Sequence, residues 1–370
     1  MGKIIPVSRP VLIKADIDSV NKSLKKGWIS SDGPEIKEFE KNFSKLIEQK
    51  YSACVSNGTA ALEIAIKALN IGKGDEVIIP NFTIVSNAIA VLKQNAKIIP
   101  IDCDFYSWNI LVEQIKKKIT KKTKAIIATH IYGYPCEIDK IKEICKDKKI
   151  FLIEDAAEFI GHKYNQKPCG SFGDISTFSF YANKQITTGE GGLIATNNKT
   201  LYNKITSLRN LCFGKINRFN HEDIGWNYRM SNIQAALGIN QLKRIDKIVK
   251  KKKEIGKLYY KLLKNNKNIY IQRPSYKNFE NIYWIVGIVI LDKKILASKL
   301  KKKLIKYGIE TRPFFWPMNK QKFLKKLNIN IKGDFKNSEY ISKYGLYLPS
   351  SINLSKNQIL KICNIVNNVI

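Results

Sequence analysis

Phe178-Ser179-Phe180-Tyr181-Ala182-Asn183-Lys184-Gln185-Ile186-Thr187-Thr188-Gly189-Glu190-Gly191-Gly192 sets one lysine between an apolar, aromatic run and a glycine-rich turn. The aromatic and β-branched residues ahead of Lys184 predict a buried strand, and Gly189, Gly191 and Gly192 behind it allow tight turns with positive φ. A lysine at the lip of such a strand loses part of its water, which lowers its pKa and frees the amine as a nucleophile or base. Schiff-base chemistry needs such an amine. With 64 lysines and arginines in the chain, a solvated surface role is the default for any one of them, so the neighbouring motifs have to decide.

Upstream, Ile150-Phe151-Leu152-Ile153 runs into Glu154-Asp155-Ala156-Ala157-Glu158. Four apolar residues followed by acids put Asp155 at the edge of a buried layer, where a carboxylate needs either a cationic partner or a helix to cap. Further upstream, the short strand Tyr51-Ser52-Ala53-Cys54-Val55 leads into Ser56-Asn57-Gly58-Thr59-Ala60-Ala61-Leu62 and then into helix formers. Unpaired N–H groups at that helix start, with the Thr59 hydroxyl, suit a phosphate; an ordinary cap by Asn57 or Thr59 is the competing reading. There is no Walker lysine and no Gly-x-Gly-x-x-Gly, so nucleoside triphosphate and dinucleotide sites have no support. Between these motifs, Val77 to Pro80, Lys97 to Ile101 and Ala125 to His130 are apolar strands alternating with amphipathic helices. That pattern predicts an α/β fold with a mostly parallel sheet covered on both faces, its ligands gathered at the carboxyl ends of the strands. Phe82, His130, Asp155 and the Gly58-Thr59 turn fall at such ends. A phosphate cradle, an aromatic at Phe82, an acid at Asp155 and Lys184 together suit a heterocyclic cation carrying a phosphate and an aldehyde.

These stretches, with Gly74-Asp75-Glu76-Val77-Ile78-Ile79-Pro80 and Gly225-Trp226-Asn227-Tyr228-Arg229-Met230-Ser231, resemble in order and over nearly the whole chain the DegT/DnrJ/EryC1/StrS family of sugar aminotransferases. Within it the resemblance leans to the perosamine-forming branch, from which Ala182 and Trp226 depart. The resemblance implies an aspartate-aminotransferase-like fold of type I and pyridoxal 5'-phosphate as cofactor, passing through pyridoxamine 5'-phosphate in turnover. It implies that Lys184 carries the cofactor and moves the proton, and that Asp155 keeps the ring nitrogen protonated. Gly58, Thr59 and Ser179 are similar to phosphate-binding positions, Phe82 to a residue over the ring, and Glu158 to a contact near the ring hydroxyl. Asn227 resembles the residue that reaches the cofactor of the neighbouring subunit, which implies a homodimer with shared active sites. A dehydrating branch has histidine in place of the lysine, so Lys184 implies transamination. The implied donor is L-glutamate and the implied acceptor a nucleotide-linked 4-keto-6-deoxy sugar, for surface polysaccharide. A small phosphorylated ketone is the alternative acceptor, and a non-catalytic cofactor or carbohydrate binder the alternative from another class.

From about residue 243 the pattern changes to a lysine-rich helix through Tyr260, a strand over 282–290, a helix over 293–307 and a closing helix from Lys356. We expect a large α/β domain over 1–242 and a smaller α+β domain over 243–370, with residues 1–25 able to pack against the smaller one. Residues 13–24 form a helix patterned by Ile13, Ile17, Val20 and Leu24. Arg229 is a candidate for the donor carboxylate, and Arg312 and Trp316 for the acceptor.

Composition bounds the rest. The 370 residues, 44% hydrophobic, suffice for a large core, and no apolar run is long enough to span a bilayer or to serve as a secretory leader. Seven scattered cysteines without a Cys-x-x-Cys pair suit a reducing cytoplasm and no structural zinc, and no metal is expected at the site. A net charge of +33 raises the question of nucleic acid, but the lysines spread over helical faces, with no zinc-finger spacing, no RNA-binding aromatic signature and no basic tail. Such a field still gathers small anionic substrates.

Overall fold

The computed structural model describes residues 4–277 and 279–370; residues 1–3, the start of the expected large domain, lie outside the described residues. Seven strands make the central sheet: β1 (Tyr51–Val55), β2 (Glu76–Pro80), β3 (Lys97–Ile101), β4 (Thr123–Thr129), β5 (Phe151–Asp155), β6 (Ile175–Ser179) and β7 (Gly192–Thr196). Their order is β1-β7-β6-β5-β4-β2-β3. β7 pairs antiparallel with β1 and β6, and the other pairings are parallel, so β7 alone runs against the rest.

The continuous apolar strands are explained by the two layers they feed. Val77, Ile79, Ile127, Ile153 and Ile194 enter the core under helix Gly58–Ala68, while Ile78, Ile126, Leu152 and Leu193 enter the opposite one with Phe39 and Phe43 of helix Pro34–Leu46. Both faces are therefore sealed, and the carboxyl edge of the sheet is left for function.

A second, antiparallel sheet orders Ile269–Ile271, Val286–Ile290, Gly345–Leu348 and Arg312–Pro313, and helix Ile245–Leu263 backs it. Its core takes in Phe82, Trp108 and Tyr132 from the first sheet's loops, which welds the two halves together. The amino-terminal segment lies along this second unit: Ile5 N–H donates to Gly308 O at 2.8 Å, and Ser350 N–H to Val7 O at 3.2 Å.

Two expectations differ from what is found. The helix Lys14–Lys25 forms, but Ile13, Ile17 and Leu24 are 45–50% exposed, while Asp16 and Ser23 are buried. Arg244 holds both Asp16 oxygens at 2.7 Å, so an ion pair rather than the apolar stripe fixes this helix to its neighbour. The expected strand over 282–290 begins only at Val286, because Tyr283 takes a left-handed backbone (φ 51°) that breaks the extended run.

Candidate active site

A cleft of about 680 Å³ opens at the carboxyl ends of β1, β5 and β6 and is closed on one side by the second unit. At the end of β1 the Asn57 side chain accepts Ala60 N–H at 2.8 Å, capping helix Gly58–Ala68 and leaving Gly58 and Thr59 on the cleft wall. The cap thus leaves the helix start open to the cleft. A Cβ at Gly58 would stand 2.9 Å from the Ser179 Cβ, so glycine is what lets the helix start meet the end of β6. Thr59 Oγ1 and Ser86 Oγ share a hydrogen bond of 2.8 Å.

The loop carrying Lys184 closes on itself: Phe180 N–H donates to Gly191 O at 2.8 Å and Thr188 N–H to Phe180 O at 2.9 Å. Gly189 has the positive φ expected (80°), whereas Gly192 is needed for clearance, since its Cβ would lie 2.4 Å from Asn57 O. Lys184 Nζ stands 3.7 Å from Glu158 Oε1 and 3.7 Å above the Trp284 ring. Burial lowers its pKa, against the opposing pull of Glu158 and Asp155. Burial raises the Glu158 carboxyl to about 7, offset in part by Lys184 and by Tyr132 N–H, which donates to Oε2 at 2.7 Å. Asp155, at the tip of β5, is also raised by burial; Ala157 N–H donates to it at 3.2 Å, and it caps no helix. The Thr177 and Asn183 side-chain oxygens line the cleft buried and without a partner among the described residues. A ligand with polar groups suits such a wall.

Gly58, Thr59, Asp155, Glu158, Ser179 and Lys184 are brought together around this cleft. Five other candidates are not on its wall. Phe82 is fully buried, 5.6 Å from Tyr132 and 5.8 Å from Phe315 between ring centroids, because the core joining the two sheets takes it; Ile84, two residues on, lines the cleft instead. Arg229 is tied down by Ser31 Oγ at 3.0 Å and Asn210 Oδ1 at 2.7 Å. Trp316 is 56% exposed, its indole N–H on Lys320 O, and its neighbour Phe315 faces the cleft. Asn227 is exposed and away from its own chain's cleft. Arg312, also exposed, lies beside Tyr347, which does line the cleft. Sequence reasoning did not single out Trp284, Tyr347, Tyr228 and Glu63, which line the cleft; of these, Tyr228 sat within the 225–231 motif, between the candidates Asn227 and Arg229.

His130, Glu154 and Cys169 lie close enough to share an ion. The Glu154 oxygens are already used: they accept N–H groups of Gly170, Phe172 and Gly173 and meet Ser176 Oγ and His130 Nε2. This acid is a strut under β5 and β6.

The family model for DegT/DnrJ/EryC1/StrS aminotransferases matches residues 10–367. The chain is 40% identical to the GDP-perosamine synthase of Escherichia coli O157:H7, over 99% of this chain and 98% of the relative. It is 38% identical to the GDP-perosamine synthase of Vibrio cholerae, over 99% of each. It superposes with a TM-score of 0.92, at 26% identity over 99% of both chains, on Helicobacter pylori PseC, an aminotransferase involved in the biosynthesis of pseudoaminic acid. With a cleft built on the motifs that suggested it and a match spanning nearly its whole length, the chain belongs to the DegT/DnrJ/EryC1/StrS aminotransferase family and is a pyridoxal-phosphate-dependent transaminase.

Proposed function

We propose that this enzyme takes the amino group of L-glutamate and delivers it to the keto carbon of a nucleotide-linked 4-keto-6-deoxy sugar for polysaccharide synthesis, with pyridoxal phosphate held by Lys184. The observation that carries the reading is one cleft in which a desolvated lysine, a buried acid and a helix amino terminus converge. The donor set fits the cofactor. Gly58, Thr59 and Ser179 would hold its phosphate, where an added Cβ would block the cradle, and Asp155 is a buried carboxylate in want of a cation. Bound there, the cofactor supplies an electron sink for the carbon that loses its proton. Lys184 Nζ would take that proton and return it, Asp155 would hold a proton on the ring nitrogen, and Glu158 would sit beside the ring hydroxyl.

The acceptor rests on the two GDP-perosamine synthases, similar over the full chain. Trp284, Phe315 and Tyr347 offer an aromatic wall for the apolar face of a deoxy sugar. A homodimer suits the exposed Ile17, Leu24, Trp28, Ile216 and Phe219, and Asn227 is free to reach a partner's cleft. Seven buried thiols, unpaired, suit a reducing cytoplasm; no helix among the described residues is long and apolar enough to cross a membrane.

The test is purified enzyme with L-glutamate against a panel of nucleotide ketosugars and small ketophosphates. A GDP-linked 4-keto-6-deoxy sugar should give the amino sugar, and Lys184→Ala should lower that turnover by at least about 10³-fold while leaving the fold intact. Substantial turnover by the alanine variant overturns the role given to Lys184; amination of a ketophosphate alone overturns the acceptor.

A further inference from the structure

Two residues beside the cleft hold left-handed backbones that side chains other than glycine seldom adopt: Tyr132 (φ 57°) and Tyr283 (φ 51°). Each delivers one of the two groups that bracket the Lys184 amine. Tyr132 N–H fixes Glu158 Oε2, which leaves Oε1 3.7 Å from Lys184 Nζ. Tyr283 turns the chain so that Trp284 leaves the second sheet and enters the cleft.

That turn is held from several sides. Asn281 Oδ1 accepts Tyr283 N–H at 2.6 Å, and Ile282 N–H donates to Gly133 O at 2.8 Å. The Tyr283 ring packs so closely over Gly256 that a Cβ there would come within 2.1 Å of it; a Cβ on Gly133 would come within 2.4 Å of the Trp284 backbone nitrogen. Trp284, 5% exposed, then meets the lysine loop twice. Its indole N–H donates to Asn183 O at 2.7 Å, immediately before Lys184, and its ring face lies 3.7 Å beneath Lys184 Nζ.

We propose that Trp284 is a positioning residue for Lys184: its ring supports the ammonium form of an amine otherwise stripped of water, and its N–H anchors the start of the lysine's loop. This rests on the reading of Lys184 as the cofactor lysine. A buried amine that must carry a proton and then release it needs its charged form neither too costly nor too favoured. The ring's negative face, Glu158 and Asp155 pull one way, and burial pulls the other.

The test reads the Lys184 amine directly. Added pyridoxal phosphate is captured by the neutral amine with loss of water; the rate of capture against pH, measured on cofactor-free full-length protein, gives the midpoint. Borohydride reduction and peptide mapping then locate the label. Trp284→Leu, which removes the ring's quadrupole, should lower the midpoint by about one pH unit, and Trp284→Phe should recover part of that shift. Should Trp284→Leu not fold, replacement of the five tryptophans by mono-, di- and trifluorinated analogues weakens the ring's negative face in steps; the midpoint should fall with each. Of those five, only Trp284 has Lys184 over its ring among the described residues. A label on Lys184 with a midpoint unmoved by leucine or by fluorination overturns the role of Trp284. A label on another lysine of the unsubstituted chain overturns the reading of Lys184, and this proposal with it.

Discussion

The Glu158 carboxyl shows how far a single side chain's setting departs from its ordinary chemistry. Burial raises it to about 7, whereas in the unfolded chain it titrates near 4.3. Between those values the folded state keeps a proton that the unfolded state has lost, so this group's contribution makes stability fall as pH rises from about 5 to 7. Glu158→Gln removes that dependence. In urea titrations of the cofactor-free protein at pH 5 and pH 8, the wild type should lose on the order of 1–3 kcal/mol relative to the glutamine variant. An equal loss in both places the proton elsewhere. At this scale the candidate cleft was legible where chemistry and local pattern coincide, since Lys184, Asp155 and the Gly58-Thr59 turn all line it. It was not legible at Phe82, since an aromatic at a strand end serves a core as readily as a ring; only the tertiary fold gives Phe82 to the core and Ile84 to the cleft.

Among the elements, the central strands were readable because both faces are buried, so near-continuous apolar runs report parallel strands. The helix Lys14–Lys25 was readable as a helix and not as to its inner face, because the Asp16–Arg244 ion pair joins positions 228 apart in sequence. The run 282–290 misled because its first part is apolar for the sake of a strained turn rather than a strand. Helix Ile245–Leu263 carries a further case: Lys252 lies inside, its Nζ donating to Ser350 O at 2.6 Å and reaching Ser350 Oγ at 3.3 Å. Burial pulls it down to about 7. Above that pH the folded state sheds a proton that the unfolded state keeps up to about 10.4, so stability from this group rises across the window. Compared with Lys252→Met, the wild type should therefore gain on the order of 2–4 kcal/mol between pH 7 and pH 10 by chemical denaturation. A constant difference would mean that the amine stays charged within the fold.

For the whole molecule, the features that one chain leaves unexplained fall on one account. Ile17 and Leu24 project from a helix whose buried side is polar, Ile216 and Phe219 are 104% and 77% exposed, and Asn227 is exposed and does not line its own chain's cleft. A second copy covering these residues would bury the apolar ones and could bring an Asn227 to each partner's cofactor phosphate. Shared sites make a prediction that separate sites do not. Lys184→Ala and Asn227→Ala homodimers should each be nearly inactive. A heterodimer of the two, co-expressed and isolated through two different tags, has one cleft with both residues intact if Asn227 acts across the interface, and none if it acts within its own chain. The heterodimer should then recover about half of the wild-type activity. Activity no greater than that of the parents would assign Asn227 to its own subunit, and an Asn227→Ala homodimer as active as the wild type would remove it from the site altogether.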